Sequence, residues 1–177
     1  MVIPVSVRVL DPVTDLAPAL EVVAAAFAPQ APQGSQPVEV GLTRALVVGG
    51  HVPGPLGLVA VGDGAVVGVV LGSIGQVGGT DAIGLGPLAV SPSRQSTGVG
   101  SALVDAVLAA ADAAGFPLAA LLGDPGFYAR FGFVTAAELG VESPDPAWGG
   151  HFQARRLSAW TVDARGPFRY AAPFDDL

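Results

Sequence analysis

The chain is 177 residues long, carries a formal net charge of −7, and is 51% hydrophobic but only 13% charged. This length predicts a single domain over residues 1–177 that is large enough to bury a substantial core. Because no cysteine is present, the composition excludes disulfides, thiolate metal sites and a cysteine nucleophile.

The same composition limits the partners of the chain. All eight basic residues are arginines and they form no basic stripe, so we predict no nucleic-acid partner. No apolar run approaches the roughly 18 residues that a membrane span needs, and the N-terminal residues lack the pattern of a signal peptide. These features predict a cytoplasmic protein with no membrane partner. Only His51 and His151 could supply imidazole, so a zinc site would also need carboxylates, and we predict no metal.

Apolar periodicity and turn residues predict an alternating series of strands and helices. In chain order, the predicted elements are a strand over residues 5–10, helices over 15–27 and 38–48, strands over 58–61, 65–74 and 83–90, a helix over 98–114, a strand over 118–122, a short helix over 126–131 and a strand over 152–160. The C-terminal tail is predicted to be irregular. This order predicts a mixed α/β layer fold.

Turn and capping residues mark several of these boundaries. Asp11-Pro12 and Asp124-Pro125 each resemble a helix N-cap followed by proline at the first helical position. Gly62-Asp63-Gly64 is a strong hairpin signal between two apolar runs. Gly78-Gly79-Thr80-Asp81 predicts a second turn before the next strand.

The most informative segment is a predicted strand–turn–helix that contains Gln95-x-x-Gly98-x-Gly100. The strand ends at Val90, a turn with Pro92 follows, and a long apolar helix begins after the glycines. Glycine allows a ligand to approach the backbone closely, and a helix N-terminus offers unpaired N–H groups and the positive end of a dipole. This order therefore predicts an anion site that would fit a pyrophosphate.

The segment resembles the acyl-CoA-binding motif of the GCN5-related N-acetyltransferases, which reads [Gln/Arg]-x-x-Gly-x-[Gly/Ala]. Residues 123–133, Gly-Asp-Pro-Gly-Phe-Tyr-Ala-Arg-Phe-Gly-Phe, are similar to the YhbS-type branch, with Phe127 in place of a typical tyrosine. Gly166-Pro-Phe-Arg-Tyr170 and Pro173-Phe174 also resemble that branch. The specific resemblance covers residues 83–135. It implies the family's α/β fold, a central mixed sheet of about six or seven strands flanked by about four helices.

The resemblance also implies a cosubstrate, an acceptor and a set of site residues. Acetyl-CoA is expected to donate an acetyl group to a primary amine, with its pantetheine along the free edge of a strand in an opening between two splayed strands. The implied cofactor-binding residues are Leu88, Ala89, Val90, Gln95, Ser96, Thr97, Gly98, Val99, Gly100, Ser101, Tyr128 and Phe131. Tyr128 matches the family's acid for the leaving thiolate, since a phenol can donate a proton. Alternatively, Tyr128 only packs or hydrogen-bonds the sulfur.

The general base is left open by the sequence. Many relatives place a glutamate on the strand near residues 84–87, but the predicted strand over 83–90 has no carboxylate. The remaining candidates are a water chain, Asp81, Glu142 or His151. Arg94 is either a ligand of a CoA phosphate or a solvated turn residue. The acidic charge either keeps an apolar chain soluble or attracts a cationic amine, and the scattered acids favour the first interpretation.

Two other functional interpretations compete with acetyl transfer. The missing strand carboxylate motivates a non-catalytic acyl-CoA-binding sensor or partner protein. Gly84-x-Gly86-x-x-Ala89 matches a loose dinucleotide fingerprint, but it lies inside a predicted strand with no helix directly behind it, so it fails the structural test for that site. The assembly is predicted to be a monomer or a homodimer.

Overall fold

The structure is a computed structural model that describes residues 4–177. Four α-helices lie within these residues: α1 (Leu16–Phe27), α2 (Val38–Val48), α3 (Val99–Ala113) and α4 (Pro125–Tyr128). Nine strands lie in the same part of the chain: β1 (Ser6–Val9), β2 (Gly57–Gly62), β3 (Ala65–Val77), β4 (Thr80–Val90), β5 (Leu118–Leu122), β6 (Val134–Thr135), β7 (Val141–Glu142), β8 (Phe152–Arg156) and β9 (Gly166–Arg169). Their order along the chain confirms the predicted mixed α/β fold.

The main path of the sheet runs β1-β2-β3-β4-β5-β8-β6. The first four strands are antiparallel neighbours, β4 and β5 are parallel, and β8 is antiparallel to β5 and β6. Strand β9 pairs with the far end of β3 and runs parallel to β7. The one parallel junction on the main path, between β4 and β5, therefore lies inside the sheet.

The β2–β3 hairpin forms where the glycine and aspartate signal predicts it. Asp63 and Gly64 both have positive φ, at 53° and 75°, as the two central residues of a type I′ turn require. Gly62 pairs with Ala65 directly beside this turn, so the turn fixes the start of the β2–β3 register.

Helices cover both faces of the sheet. The apolar face of α3 packs with β2, β3 and β4 in one buried cluster, to which it contributes Val99, Leu103, Val104, Val107, Leu108 and Ala111. Helices α1 and α2 pack on the opposite face, where Val59, Val69 and Ala89 point. A third cluster, around Phe152 and Phe168, joins the C-terminal strands to β5. These layers leave the β4–β5 junction between the helices on the two faces.

The predicted N-cap at Asp11 is wrong. Helix α1 begins at Leu16, and Asp15 occupies the N-cap position without capping by its side chain. The Asp15 carboxylate instead accepts hydrogen bonds from the Arg8 guanidinium at 2.6 and 2.9 Å and from the Asp11 backbone N–H at 2.8 Å. The Arg8 hydrogen bond holds the pKa of Asp15 below its usual range. Asp15 thus fixes β1 to the start of α1.

Two predictions for the C-terminal region also need correction. Strand β8 ends at Arg156 rather than at residue 160, because the Trp160 backbone N–H turns back to the Leu157 carbonyl at 3.0 Å. The tail, predicted to be irregular, contains β9, which pairs with Gln76 and Val77 of β3. This pairing joins segments far apart in sequence, so local periodicity did not predict it.

Candidate active site

Strands β4 and β5 separate soon after they meet. They pair only at Ile83–Ala119 and Gly84–Ala120. Beyond that point β5 stays paired with β8, and β4 stays paired with β3 as far as Val90. The result is a wedge-shaped opening between Leu85–Val90 of β4 and the end of β5, as the family resemblance implies.

The backbone of Leu88 and Val90 faces this opening. Ser91 N–H donates to the Val67 carbonyl at 2.9 Å, and hydrogen-bonded pairs alternate along an antiparallel ladder. Ala89 is therefore bonded to Val69, while the N–H and C=O groups of Leu88 and Val90 point away from β3. The unpaired backbone groups of this short stretch of β4 therefore line the opening. The Ala89 side chain points to the face of the sheet that α1 and α2 cover.

Gln95 closes the turn that follows this strand. Its side-chain Nε2 donates to the Val90 carbonyl at 3.1 Å, which uses one of the groups that would otherwise face the opening. Thr97 Oγ1 donates to the Arg94 carbonyl at 2.6 Å. The side chains of Gln95 and Thr97 therefore hold the shape of the turn rather than point at a ligand.

The start of α3 provides the predicted backbone donors. Gly98 has φ +92°, a left-handed conformation that favours glycine, and occupies the N-cap position. The Gly98 carbonyl accepts from Ala102 N–H at 3.0 Å, so the N–H groups of Val99, Gly100 and Ser101 precede the first bond of the helix. Nothing lies within 4 Å of a Cβ built on Gly98, so this end of α3 is open.

Arg94 lies beside this turn but is already paired. Its guanidinium contacts the Asp63 carboxylate at 2.6 Å, across the sheet edge at the β2–β3 hairpin. The pair ties the turn before α3 to the hairpin. Arg94 is therefore not a free cation directed at the α3 N-terminus.

Tyr128 lies on the other side of the opening, at the end of α4. The Asp124 carboxylate accepts from Gly126 N–H at 2.9 Å, so Asp124-Pro125 caps α4 as predicted. The Tyr128 ring packs edge-on against Phe133, with 5.8 Å between centroids, and close to Gly123, where a Cβ would lie 2.5 Å from Tyr128 Cε2. Burial raises the pKa of Tyr128 to about 12. The phenol is therefore protonated at neutral pH, and its ring faces the cavity described next.

A cavity of 880 Å³ runs through the opening. It is lined on one side by residues 85–88 of β4 and on the other by residues 122–124 and Tyr128. Phe131, predicted to bind the cofactor, is only 8% exposed and packs in the α3 core beside Phe127, so it supports the wall rather than lining it.

Tyr170 lies at the narrow end of the opening and was missed as a site residue. Its ring covers Gly84, the last residue of β4 that pairs with β5: a Cβ on Gly84 would lie 2.6 Å from Tyr170 Cδ1. Burial raises the pKa of Tyr170, and the charge of a nearby Tyr128 phenolate adds to the effect. The only signal in the sequence was the similarity of the segment 166–170 to the YhbS-type branch, which assigned no role to this ring.

None of the three residues considered as the general base lines this cavity. Asp81 is the second residue of β4, where its carboxylate accepts from Gln76 at 3.4 Å, and neither Asp81, Glu142 nor His151 lines the cavity. The acids that do line it are Glu39, Asp124 and Asp175. The local sequence could not indicate Glu39 and Asp175 as site residues. Glu39 lies in α2 and Asp175 in the C-terminal segment, and only the fold brings them to the cavity.

The geometry agrees with comparisons to known proteins. Residues 54–135 match the family model described as an acetyltransferase (GNAT) domain. A GNAT family acetyltransferase from Brucella melitensis, crystallised with acetyl-CoA, superposes with a TM-score of 0.77 at 32% identity, covering 97% of this chain and 99% of that one. The chain belongs to the GNAT family of N-acetyltransferases. The resemblance seen in residues 83–135 is thereby confirmed.

Other GNAT relatives support the same assignment. YhbS from Escherichia coli, crystallised with CoA, has a TM-score of 0.81 at 30% identity and covers 98% of this chain and 93% of that one. In sequence, the uncharacterised N-acetyltransferase YhbS of E. coli K12 is 38% identical over 106 residues, 58% of this chain. That match spans 64% of the relative's length. The GNAT fold of this chain follows from these matches, and they do not support the dinucleotide alternative.

Neither a cluster of metal-ligating side chains nor a membrane-spanning helix lies in the part of the chain that the structure describes. Residues 4–177 contain no group of three or more His, Asp or Glu side chains placed to hold a metal ion. Over the same range, no helix has both the length and the apolar character that crossing a bilayer demands.

Proposed function

We propose that this GNAT protein transfers an acetyl group from acetyl-CoA to a primary amine of a small molecule or peptide, by direct attack in a ternary complex. One arrangement carries the proposal: Leu88, on the free edge of β4, and Tyr128 line the same cavity, and the N-terminus of α3 follows β4 after one turn. The crystallised relatives with acetyl-CoA or CoA support the choice of cosubstrate.

The residues present fit a CoA ligand in two places. The N–H groups of Val99, Gly100 and Ser101, with the dipole of α3, would hold the pyrophosphate. The Leu88 carbonyl and the Val90 N–H would pair with the pantetheine amides, much as a neighbouring strand would. Ser96 and Ser101 add hydroxyl donors near the α3 N-terminus.

The reaction then requires a group that stabilises charge on the carbonyl oxygen, an acid for the leaving thiolate and an acceptor for the amine proton. In the transfer, the amine nitrogen bonds to the acetyl carbon and the carbon–sulfur bond breaks. The nitrogen loses one proton, and the leaving thiolate gains one. Leu88 N–H faces the opening and can donate to the carbonyl oxygen as charge develops there. Tyr128 lines the opposite wall of the cavity, and we propose that it protonates or hydrogen-bonds the leaving sulfur.

The high pKa of Tyr128 limits how it acts. Proton transfer from a phenol with a pKa of about 12 to an ordinary thiolate is unfavourable, because the corresponding thiol has a pKa of about 8.5. The same burial that raises the Tyr128 pKa also disfavours the thiolate charge, which brings the two values closer. We therefore propose Tyr128 as the acid, with the amine proton leaving through water because β4 offers no carboxylate beside the opening.

A non-catalytic acyl-CoA-binding protein is the second candidate. The observation that favours it is the side chain of Tyr170 over Gly84, where a strand carboxylate of the family would need room. The two candidates separate in one assay that follows thiol release from acetyl-CoA with and without a mixture of primary amines. Amine-dependent thiol release supports the enzyme, whereas tight acetyl-CoA binding with no release under any condition supports the sensor.

A further inference from the structure

The end of the cavity away from α3 has a different character from the CoA side. We call it the acceptor chamber and define it by the apolar residues that line it: Phe27, Leu42, Trp148, Phe168, Tyr170 and Phe174. They come from α1, α2, the segment before β8, and β9 with the residues after it. Four separate parts of the chain thus converge to build an apolar wall beside the opening.

Tyr170 is the centre of this wall. Its ring stacks on Phe174 with 4.4 Å between centroids and 25° between planes, and it meets Phe168 edge-on at 4.9 Å. The Trp148 ring centroid lies 6.5 Å away, also edge-on. The Tyr170 ring therefore has a fixed orientation, and it sits at Gly84, where β4 and β5 separate. A molecule packed against Tyr170 would lie directly beside residues 85–88 of β4.

The charges in the cavity lining favour a cation. The lining contains three carboxylates, those of Glu39, Asp124 and Asp175, but only one guanidinium, that of Arg169. Among residues 4–177, neither Glu39, Asp175 nor Arg169 takes part in an ion pair. Asp124 already caps α4, whereas the half-buried Glu39 and the exposed Asp175 can attract an ammonium group. Aromatic faces add to this attraction.

We propose that the acceptor chamber selects a small primary amine carried on an aromatic body, the arylalkylamine class. The proposal rests on acetyl transfer being the function of the site. The flat body packs on Tyr170 and Phe174, and the amine reaches the opening between Leu88 and Tyr128. A polyamine has no comparable apolar body to pack on Tyr170 and Phe174, so it would gain less from this wall.

The test compares acceptors that differ by one feature, at saturating acetyl-CoA. Phenethylamine should show a catalytic efficiency, kcat/KM, that exceeds the value for ethylamine, which lacks the ring, by at least about ten-fold. Its efficiency should also exceed that of L-phenylalanine, which adds a carboxylate to the same body, and that of spermidine. Equal values for phenethylamine and ethylamine, or a preference for spermidine, L-phenylalanine or a lysine peptide, would overturn the assignment.

Variants locate the preference in the chamber. Tyr170→Ala should reduce the ratio of the phenethylamine efficiency to the ethylamine efficiency by about ten-fold, because the packing surface for the ring is lost. Trp160→Phe is the matched control: this aromatic residue lies under Arg156, at 4.0 Å, outside the cavity lining, and its replacement should leave the ratio unchanged. An unchanged ratio in Tyr170→Ala contradicts the proposal.

Failure of the chamber and failure of acetyl transfer are distinguishable. If acetyl-CoA binds and amines are acetylated without a preference for the ring, only the acceptor chamber is wrong. If no amine is acetylated, the proposed function is wrong, and calorimetry of phenethylamine with the CoA-saturated protein decides the chamber separately. Binding of phenethylamine that Tyr170→Ala weakens supports the chamber, and no binding rejects it.

Discussion

The ring of Tyr170 lies against the backbone of Gly84, so that a Cβ on Gly84 would come within 2.6 Å of Tyr170 Cδ1. This contact links the C-terminal segment to the last paired residue of β4, where the opening begins. It also explains why β4 carries no side chain at that point. A glutamate at position 84 would compete with Tyr170 for the same space.

Gly84→Ala should therefore destabilise the protein through this contact. Overpacking of a buried site costs about 1–3 kcal/mol, and Tyr170 is held by Phe168 and Phe174, so it cannot move away freely. Chemical denaturation measures the loss in free energy of unfolding. Tyr170→Ala should remove most of the penalty in the double variant. Strictly additive effects of the two substitutions would show that the contact is not the cause.

Tyr128→Phe should lower kcat while leaving the dissociation constant of acetyl-CoA nearly unchanged. The change removes only the hydroxyl, and the ring that packs on Phe133 and Gly123 remains. General acid catalysis contributes about 10²–10⁴-fold, and we expect a loss at the lower end of that range. Steady-state kinetics and calorimetry on the same sample separate the two constants. A wild-type kcat in this variant rules out the acid role.

The pH profile of kcat should show no loss of activity from Tyr128 between about pH 6 and pH 10. Burial raises the pKa of Tyr128 to about 12, so the protonated, active form persists throughout this range and is lost only as the pH approaches that value. Any rise in catalytic efficiency across the range then reports deprotonation of the acceptor amine. A fall in kcat with a midpoint below about pH 10 that is absent in Tyr128→Phe would contradict the raised pKa.

Gly98→Glu should abolish binding of acetyl-CoA, and Gly98→Asn is its matched control. Both substitutions place a side chain at the left-handed φ of +92°, and a Cβ there meets no neighbour within 4 Å. Asparagine tolerates that conformation and adds no charge, whereas glutamate places a carboxylate where the pyrophosphate is expected. Calorimetric titration should show a loss of affinity far larger for Gly98→Glu than for Gly98→Asn. Similar losses in both would assign the effect to backbone strain.

Gln95→Ala should weaken acetyl-CoA binding indirectly. The Gln95 side chain holds the turn to the Val90 carbonyl, and loss of one such hydrogen bond costs about 0.5–1.5 kcal/mol of stability. The N-terminus of α3 would then be less fixed relative to β4. Arg94→Ala is the comparison variant, because the exposed ion pair with Asp63 contributes about 0–1 kcal/mol. If Arg94→Ala reduces affinity more than Gln95→Ala, the guanidinium contacts the cosubstrate after all.

Local signals were sufficient for the part of the site built from contiguous sequence. The residue pattern from Val90 to Gly100 predicts a strand, a turn and an open helix start because each step depends on neighbouring residues. The same pattern could not show that Gln95 and Thr97 are used to close the turn, since that depends on side-chain direction. Asp11 was predicted as an N-cap on local grounds, but Asp15 takes that position and is drawn to Arg8 of the adjacent strand.

The acceptor side of the site depends on contacts between distant segments. Tyr170 reaches Gly84 only because β9 pairs with the end of β3, a non-local pairing that includes Val77 and Phe168. Glu39 and Asp175 meet at the cavity because α2 packs against the C-terminal segment. Local periodicity in the sequence cannot predict such contacts between distant segments. The residues chosen from the sequence as candidates for the general base lie outside the cavity: Asp81, Glu142 and His151.

The most direct test of the central claim is calorimetric titration of the purified protein with acetyl-CoA, beside NAD and ATP, for the wild type and Gly98→Glu. We predict binding of acetyl-CoA in the micromolar range to the wild type, much weaker binding of NAD and ATP, and no binding of acetyl-CoA to Gly98→Glu. Absence of acetyl-CoA binding to the wild type, or undiminished binding to Gly98→Glu, would contradict the site proposed between β4, α3 and Tyr128.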